Sequence, residues 1–255
     1  MRLVLIRHGQ TRSNVLGLLD TSVPGPGLTD LGLEQAAALP AALADHPIDA
    51  LYASTQHRSQ LTAAPLAADR GLPIQVRDGL REIGAGELEM LGDEESIRTY
   101  LSTVGRWMGG SLDVRMPGGP DGAQVLARFD EVIVGIEEEL QSIVGPRGSA
   151  VVVAHGAVLR FWASVRARNL EGTFGIRRPL HNTGMITLDG GSGKGWTAVN
   201  WTGVALGGAG LDDGAADGPA GDPPGGRSTD RPDDGAVRGP AGAVRRAGDF
   251  GRRHG

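Results

Sequence analysis

The chain has 255 residues, 40% hydrophobic and 22% charged, enough for one sizeable core or one domain with an appendage, which excludes disorder along its whole length. A formal net charge of −5 and an isoelectric point near 5.7 leave no basic excess to neutralise a phosphate backbone or an anionic bilayer, so neither nucleic acid nor a membrane is expected as a partner. Cysteine is absent, which rules out disulfides, zinc-thiolate sites and thiol catalysis.

The first apolar run, Leu3–Ile6, has no polar alternation and reads as a strand covered on both faces; it is too short for the core of a signal peptide. No run of 18 apolar residues occurs elsewhere, so the expected location is the cytoplasm. Next, "LTDLGLEQAAAL" offers Thr29 as the N-cap of a helix that Pro40 kinks or ends. "IDALYAS" and "LPIQVRD", starting at Ile48 and Leu72, read as two more strands. The Gly-rich segment from Gly105 to Gly122, with Trp107, Met108 and Met116, either caps a pocket or packs onto the body. After it comes the clearest helix, Gln124 to Val144, with Val125, Phe129, Val132, Ile133, Ile136, Leu140 and Ile143 on one stripe and Glu137 to Glu139 facing water.

A second buried run, Ala150–Ala154, is followed by late strands at "GMITLDG" and "WTAVNWTG" that read as a closing hairpin at the sheet edge. Their connection, "GGSGKGW", lacks the spacing of a phosphate-binding P-loop. Strand and helix alternating in this way predict a three-layer α/β/α sandwich with a mostly parallel central sheet. From Gly207 onward the composition turns to Gly, Ala, Asp, Pro and Arg, which predicts a folded domain over 1–206 and a disordered tail over 207–255.

Both buried runs end in the same way, the first in Arg7-His8-Gly9 and the second in His155-Gly156. Ligands of open α/β sheets bind beyond the carboxyl ends of the strands, so the two histidines are expected to meet there. Imidazole can act as a covalent nucleophile, and planar arginines stabilise the charge spread over a phosphoryl group in transfer. A glycine after each histidine permits a sharp turn, and a following helix offers its N-terminal amides to an anion. Together these features outline a phosphate site.

The motif "RHGQTRSN" with "AHG" downstream resembles the histidine phosphatase superfamily, also called phosphoglycerate mutase-like. "LTDLGLEQA", "YASTQHRSQLTAAPLA", "LREIGAGELE" and "HNTGMITL" follow in that family's order, so the resemblance spans most of residues 1–190. It implies that His8 becomes phosphohistidine, that Arg7, Arg58 and His155 hold the phosphoryl oxygens, and that Asn14 adds a polar contact. Glu82 matches the general acid and base, with Glu87 and Glu89 as competitors on the same stretch. The implied activity is that of a histidine acid phosphatase-type phosphoric monoester hydrolase acting on a small phosphate ester without metal or cofactor. A homodimer is left open.

Two departures from the family pattern bear on function. Where many members carry Gly-Gly-Glu-Ser, this chain has Gly118-Gly119-Pro120-Asp121, with Asp121 placed to cap the long helix. The runs that shape a phosphoglycerate pocket in mutases are missing after Glu82, which favours a phosphatase over a mutase, and the joint presence of Arg7, His8, Arg58, Glu82 and His155 speaks against a phospho-ligand binding module.

Overall fold

The two uninterrupted apolar runs become neighbouring parallel strands at the centre of one sheet in the computed structural model, which describes residues 1–221. Strands β1 (Arg2–Arg7), β2 (Ala50–Ser54), β3 (Ile74–Arg77), β4 (Ser149–Ala154), β5 (Met185–Gly191) and β6 (Gly195–Thr202) stand in the order β3-β2-β4-β1-β5-β6. The pairings among β1, β2, β3 and β4 are parallel. The late hairpin adds β5 antiparallel to β1, with β6 outside it.

Alternate residues of the same strands feed two cores, which is why the sequence runs show no polar alternation. Leu3, Leu5, Tyr52, Ala150 and Val152 pack with Trp107, Phe129, Ile133, Phe161 and Trp162. These come from helices α5 (Glu94–Met108), α6 (Gly122–Ile143) and α7 (Gly156–Arg166). On the other face Val4, Ile6, Leu51, Ala53, Val151 and Val153 pack with Leu39, Leu43, Ala63 and Leu66. That layer is built by α2 (Asp30–Ala37), α3 (Leu39–Ala42) and α4 (His57–Arg70), while α1 (Arg12–Val15) and α8 (Phe174–Arg177) are single turns. The expected three-layer sandwich is therefore present.

Local signals set the helix boundaries. The Thr29 hydroxyl accepts the Gly32 amide at 3.0 Å, and Pro40 sits at the start of α3, so the expected helix is split in two. Asp121 caps α6 by accepting from the Gln124 amide at 2.9 Å, and the Gln124 side chain returns the bond to the Asp121 amide. Trp107, Met108 and Met116 are all buried, so this segment packs rather than caps. Two details of α6 differ from expectation. Ile143 is 66% exposed because it falls in the last turn, beyond the sheet. Glu137 and Glu139 do not simply face water: Glu137 accepts the Ser192 amide at 2.9 Å, and Glu139 accepts from Tyr52 and Arg77, both at 2.7 Å.

The expected boundary after residue 206 does not hold. Residues 207–221 are ordered into two 3₁₀ turns, Ala209–Leu211 and Gly214–Ala216, and pack back on the carboxyl end of the sheet. Their apolar contribution is small, with Ala220 packed against the main core. The buried Asp217 carboxylate, the half-buried Asp212 carboxylate and main-chain carbonyls bind polar groups of the domain, a pattern that composition alone does not reveal. Residues 222–255 of the expected tail lie outside the described residues. Among the described residues no helix is long and apolar enough to cross a membrane.

Candidate active site

Register places the site. Arg7 lies opposite Ala154 in the β1–β4 pair, so His8 and His155 leave adjacent strands together. Their ring centroids are 5.2 Å apart, and the His8 amide donates to the Ala154 carbonyl at 3.0 Å. The loop that carries His8 is pressed against α2: a Cβ at Gly9 would lie 2.7 Å from the Gly32 carbonyl oxygen. Glycine is required here for close backbone packing, rather than for the approach of a ligand.

The two imidazoles are held in complementary ways. His8 Nδ1 is 2.8 Å from its neighbour's carbonyl, Gly9 O, so Nδ1 donates and Nε2 keeps its lone pair. The Nε of Arg58 donates to that Nε2 at 3.2 Å. His155 Nε2 is engaged by the hydroxyls of Ser54 at 2.7 Å and Ser59 at 3.3 Å, which leaves Nδ1. Burial, then the positive charges of Arg58 and Arg7, push the His8 imidazolium well below the usual range. His155 is shifted the same way, first by burial and then by Arg58 and His8. Both rings are therefore neutral near pH 7.

Three buried nitrogens around this pair lack a hydrogen-bond partner among the described residues: Arg7 Nε, Arg58 Nη1 and His155 Nδ1. An unsatisfied buried donor costs about 1–3 kcal/mol, so three in one place mark a site built for an acceptor-rich ligand. Arg58 is steadied by Asp20, whose carbonyl accepts from Nη2 at 2.9 Å and whose carboxylate lies 3.7 Å from Nη1. Arg7, His8, Asn14, Arg58 and Glu82 line one cleft with about 40 Å³ of free volume, room for about three waters or one phosphoryl group.

Glu82 is 8% exposed, and both of its oxygens are bonded. Oε1 accepts the amides of Ile83 at 2.8 Å and Val158 at 2.9 Å, and Oε2 accepts that of Ala157 at 3.0 Å. The amides at the start of α7 thus bind a carboxylate of the protein, not an outside anion as the sequence suggested. Of its competitors, Glu87 is exposed, and Glu89 is tied to Thr21 and Ser22 through their amides at 2.8 and 3.0 Å. Asn14 lines the cleft with its Oδ1 held by the Thr11 amide at 2.9 Å.

A profile of the histidine phosphatase superfamily (branch 1) matches residues 3–203. The chain belongs to the histidine phosphatase superfamily. Among its curated relatives, the adenosylcobalamin/alpha-ribazole phosphatase of Escherichia coli K12 is 31% identical over 159 residues, 62% of this chain and 75% of that protein. The Mycobacterium tuberculosis PE-PGRS family protein PE_PGRS11 is 35% identical over 208 residues, 76% of this chain but only 35% of that longer protein. Among solved structures, the alpha-ribazole phosphatase from Shigella flexneri superposes with a TM-score of 0.59 at 26% identity, covering 78% of this chain and 94% of that one. Native mycobacterial glucosyl-3-phosphoglycerate phosphatase gives a TM-score of 0.64 at 25% identity, covering 79% and 98%.

The structure brings together every site residue expected from sequence. It adds four others: Asp20 on Arg58, Ser54 and Ser59 on His155, and Asp217 on Arg7, the last at 3.1 Å. Ser54 and Ser59 fall inside the matched "YASTQHRS" run and were open to notice. Asp20 and Asp217 have no local pattern to mark them.

The neutral histidines make the fold acid-sensitive. Their folded pKa values lie below the unfolded value of about 6.5, so the unfolded chain binds more protons below that pH. Their stabilising effect is complete above about pH 6.5 and is lost as pH falls toward the folded values. We expect unfolding free energy to drop between pH 7 and 5 as the unfolded chain takes up two protons that the folded chain does not. Denaturant titrations at the two pH values check this; equal midpoints would contradict it.

Proposed function

We propose that the chain is a metal-independent phosphomonoesterase that hydrolyses a small phosphate ester through a phosphohistidine on His8. The observation that carries this reading is the set of unpartnered donors of Arg7, Arg58 and His155 around a neutral His8 whose Nε2 keeps its lone pair. As substrate enters, the Arg58 bond to His8 Nε2 passes to a phosphoryl oxygen. Nε2 attacks phosphorus and the ester oxygen leaves, taking a proton from Glu82. Ionised Glu82 then draws a proton from water as that water attacks the phosphohistidine. Inorganic phosphate departs, and His8 and Glu82 return to their starting states.

Arg7 and Arg58 supply fixed positive charge to the equatorial oxygens from a buried site, where such contacts act more strongly than in water. The names of the relatives support a phosphate monoester of an organic alcohol as the substrate class. Phosphate release from a panel of monoesters, in the presence of a chelator, tests the proposal. Chelator-resistant release is the expected result; no release from any ester, or release that needs added metal, would contradict it.

A further inference from the structure

Residues 205–221 form a strap that is fastened to α2, to α7 and to the segment before β5. Asp212 accepts the Ala205 amide at 3.0 Å and meets His181 Nδ1 at 2.9 Å. Gln35 Nε2 donates to the Leu211 carbonyl at 2.8 Å. Further along, Arg160 Nη1 donates to the Ala220 carbonyl and the Leu180 amide to the Gly221 carbonyl, both at 3.0 Å. Pro219 and Ala220 thereby become part of the cleft wall.

Between these fastenings the strap inserts Asp217, 2% exposed, against Arg7. Arg7 Nη1 donates to Asp217 Oδ2 at 3.1 Å and to the Leu180 carbonyl at 2.7 Å, and Nη2 donates to the Asp217 carbonyl. The same carboxylate accepts the Asn182 amide, with Oδ1 at 2.9 Å, and Asn182 Nδ2 donates to the His8 carbonyl at 3.0 Å. One buried side chain therefore touches both Arg7 and the residue that holds the His8 backbone. Of the Arg7 guanidinium nitrogens only Nε is left without a partner among the described residues, and it lies beside Gly156 at the start of α7, where a Cβ would be 3.0 Å away.

We propose that Asp217 is a positioning residue of the phosphoryl site: it clamps the two terminal nitrogens of Arg7 so that the Nε edge is presented to the substrate. The proposal rests on the phosphoryl-site reading above. Arginine has a long, many-jointed side chain, and fixing it before the substrate arrives removes an ordering cost from binding. Asp217, Pro219 and Ala220 are the part of the strap that reaches the cleft, whereas Asp212 lies at its His181 fastening.

The test uses the full chain with inorganic phosphate as the binding probe and p-nitrophenyl phosphate as the substrate. Asp217→Asn is compared with Asp212→Asn, which loosens the same strap at its His181 fastening without touching Arg7. A milder third variant, Gly221→Ala, puts a methyl 2.7 Å from Asp217 Oδ2 and 2.9 Å from Arg7 Nη1 and removes no charge. It keeps the test open if Asp217→Asn does not fold. The expected result is a phosphate Kd and a KM raised about ten- to a hundredfold in Asp217→Asn, less in Gly221→Ala, with Asp212→Asn within about threefold of the parent chain. Equal losses in Asp212→Asn and Asp217→Asn would reduce Asp217 to a strap fastener and overturn the proposal. Unchanged or faster turnover in Asp217→Asn would overturn it too, and faster turnover would make the strap a plug. A parent chain that binds phosphate but turns over no ester would sink the phosphatase reading, while the phosphate arm would still decide the role of Asp217.

Discussion

His8→Ala is expected to abolish measurable turnover, by at least about 10³-fold, because loss of a covalent nucleophile in a hydrolase costs up to about 10⁶ in kcat. The geometry gives the reason. His8 Nε2 is the ring nitrogen left with a lone pair, its Nδ1 is committed to the Gly9 carbonyl at 2.8 Å, and among the described residues no other nucleophilic side chain is aligned by Arg58 in this way. His155 cannot substitute, since its Nε2 is already engaged by Ser54 and Ser59. The variant should still fold, and its stability should fall about half as steeply below about pH 6.5, because one buried imidazole remains in place of two. Activity retained within tenfold of the parent chain would rule out His8 as the nucleophile.

Glu82→Gln should lower kcat by about 10²- to 10⁴-fold for alkyl phosphates, whose alkoxide leaving groups need a proton. For p-nitrophenyl phosphate, whose leaving group departs unprotonated, the loss in the first step should be far smaller. That contrast separates two roles that coexist in one carboxylate. As a cap on α7, Glu82 accepts the amides of Ala157 and Val158, and glutamine can replace only part of this, so a stability loss of about 1 kcal/mol is also expected. A purely structural Glu82 would give the same fractional loss for every leaving group, which a series of esters of graded alcohol pKa would reveal.

Much of the fold could be read from the chain because burial on both sides of a sheet leaves a distinct mark. Leu3–Ile6 and Ala150–Ala154 show no alternation, since each residue meets one of two cores, and this placed the histidines at adjacent strand ends. Capping residues were equally legible at Thr29 and Asp121, where the chemistry is local. What escaped was long-range and polar. Asp217 meets Arg7 across 210 positions, and the bonds that order residues 207–221 use main-chain carbonyls that any residue carries. Over residues 207–221 composition therefore suggested a tail where Pro219 and Ala220 line the cleft. The amides of α7 were expected to serve a phosphate, but Glu82 takes them, a pairing that spans 75 positions and leaves no periodic trace.

The most direct test of the account is to quench the full chain in alkali during turnover of a ³²P-labelled monoester and map the label. A covalent phosphate stable in base, lost in acid and located on His8, absent from His8→Ala, is the predicted result. Steady turnover with no label on His8 at any quench time would contradict the phosphohistidine mechanism.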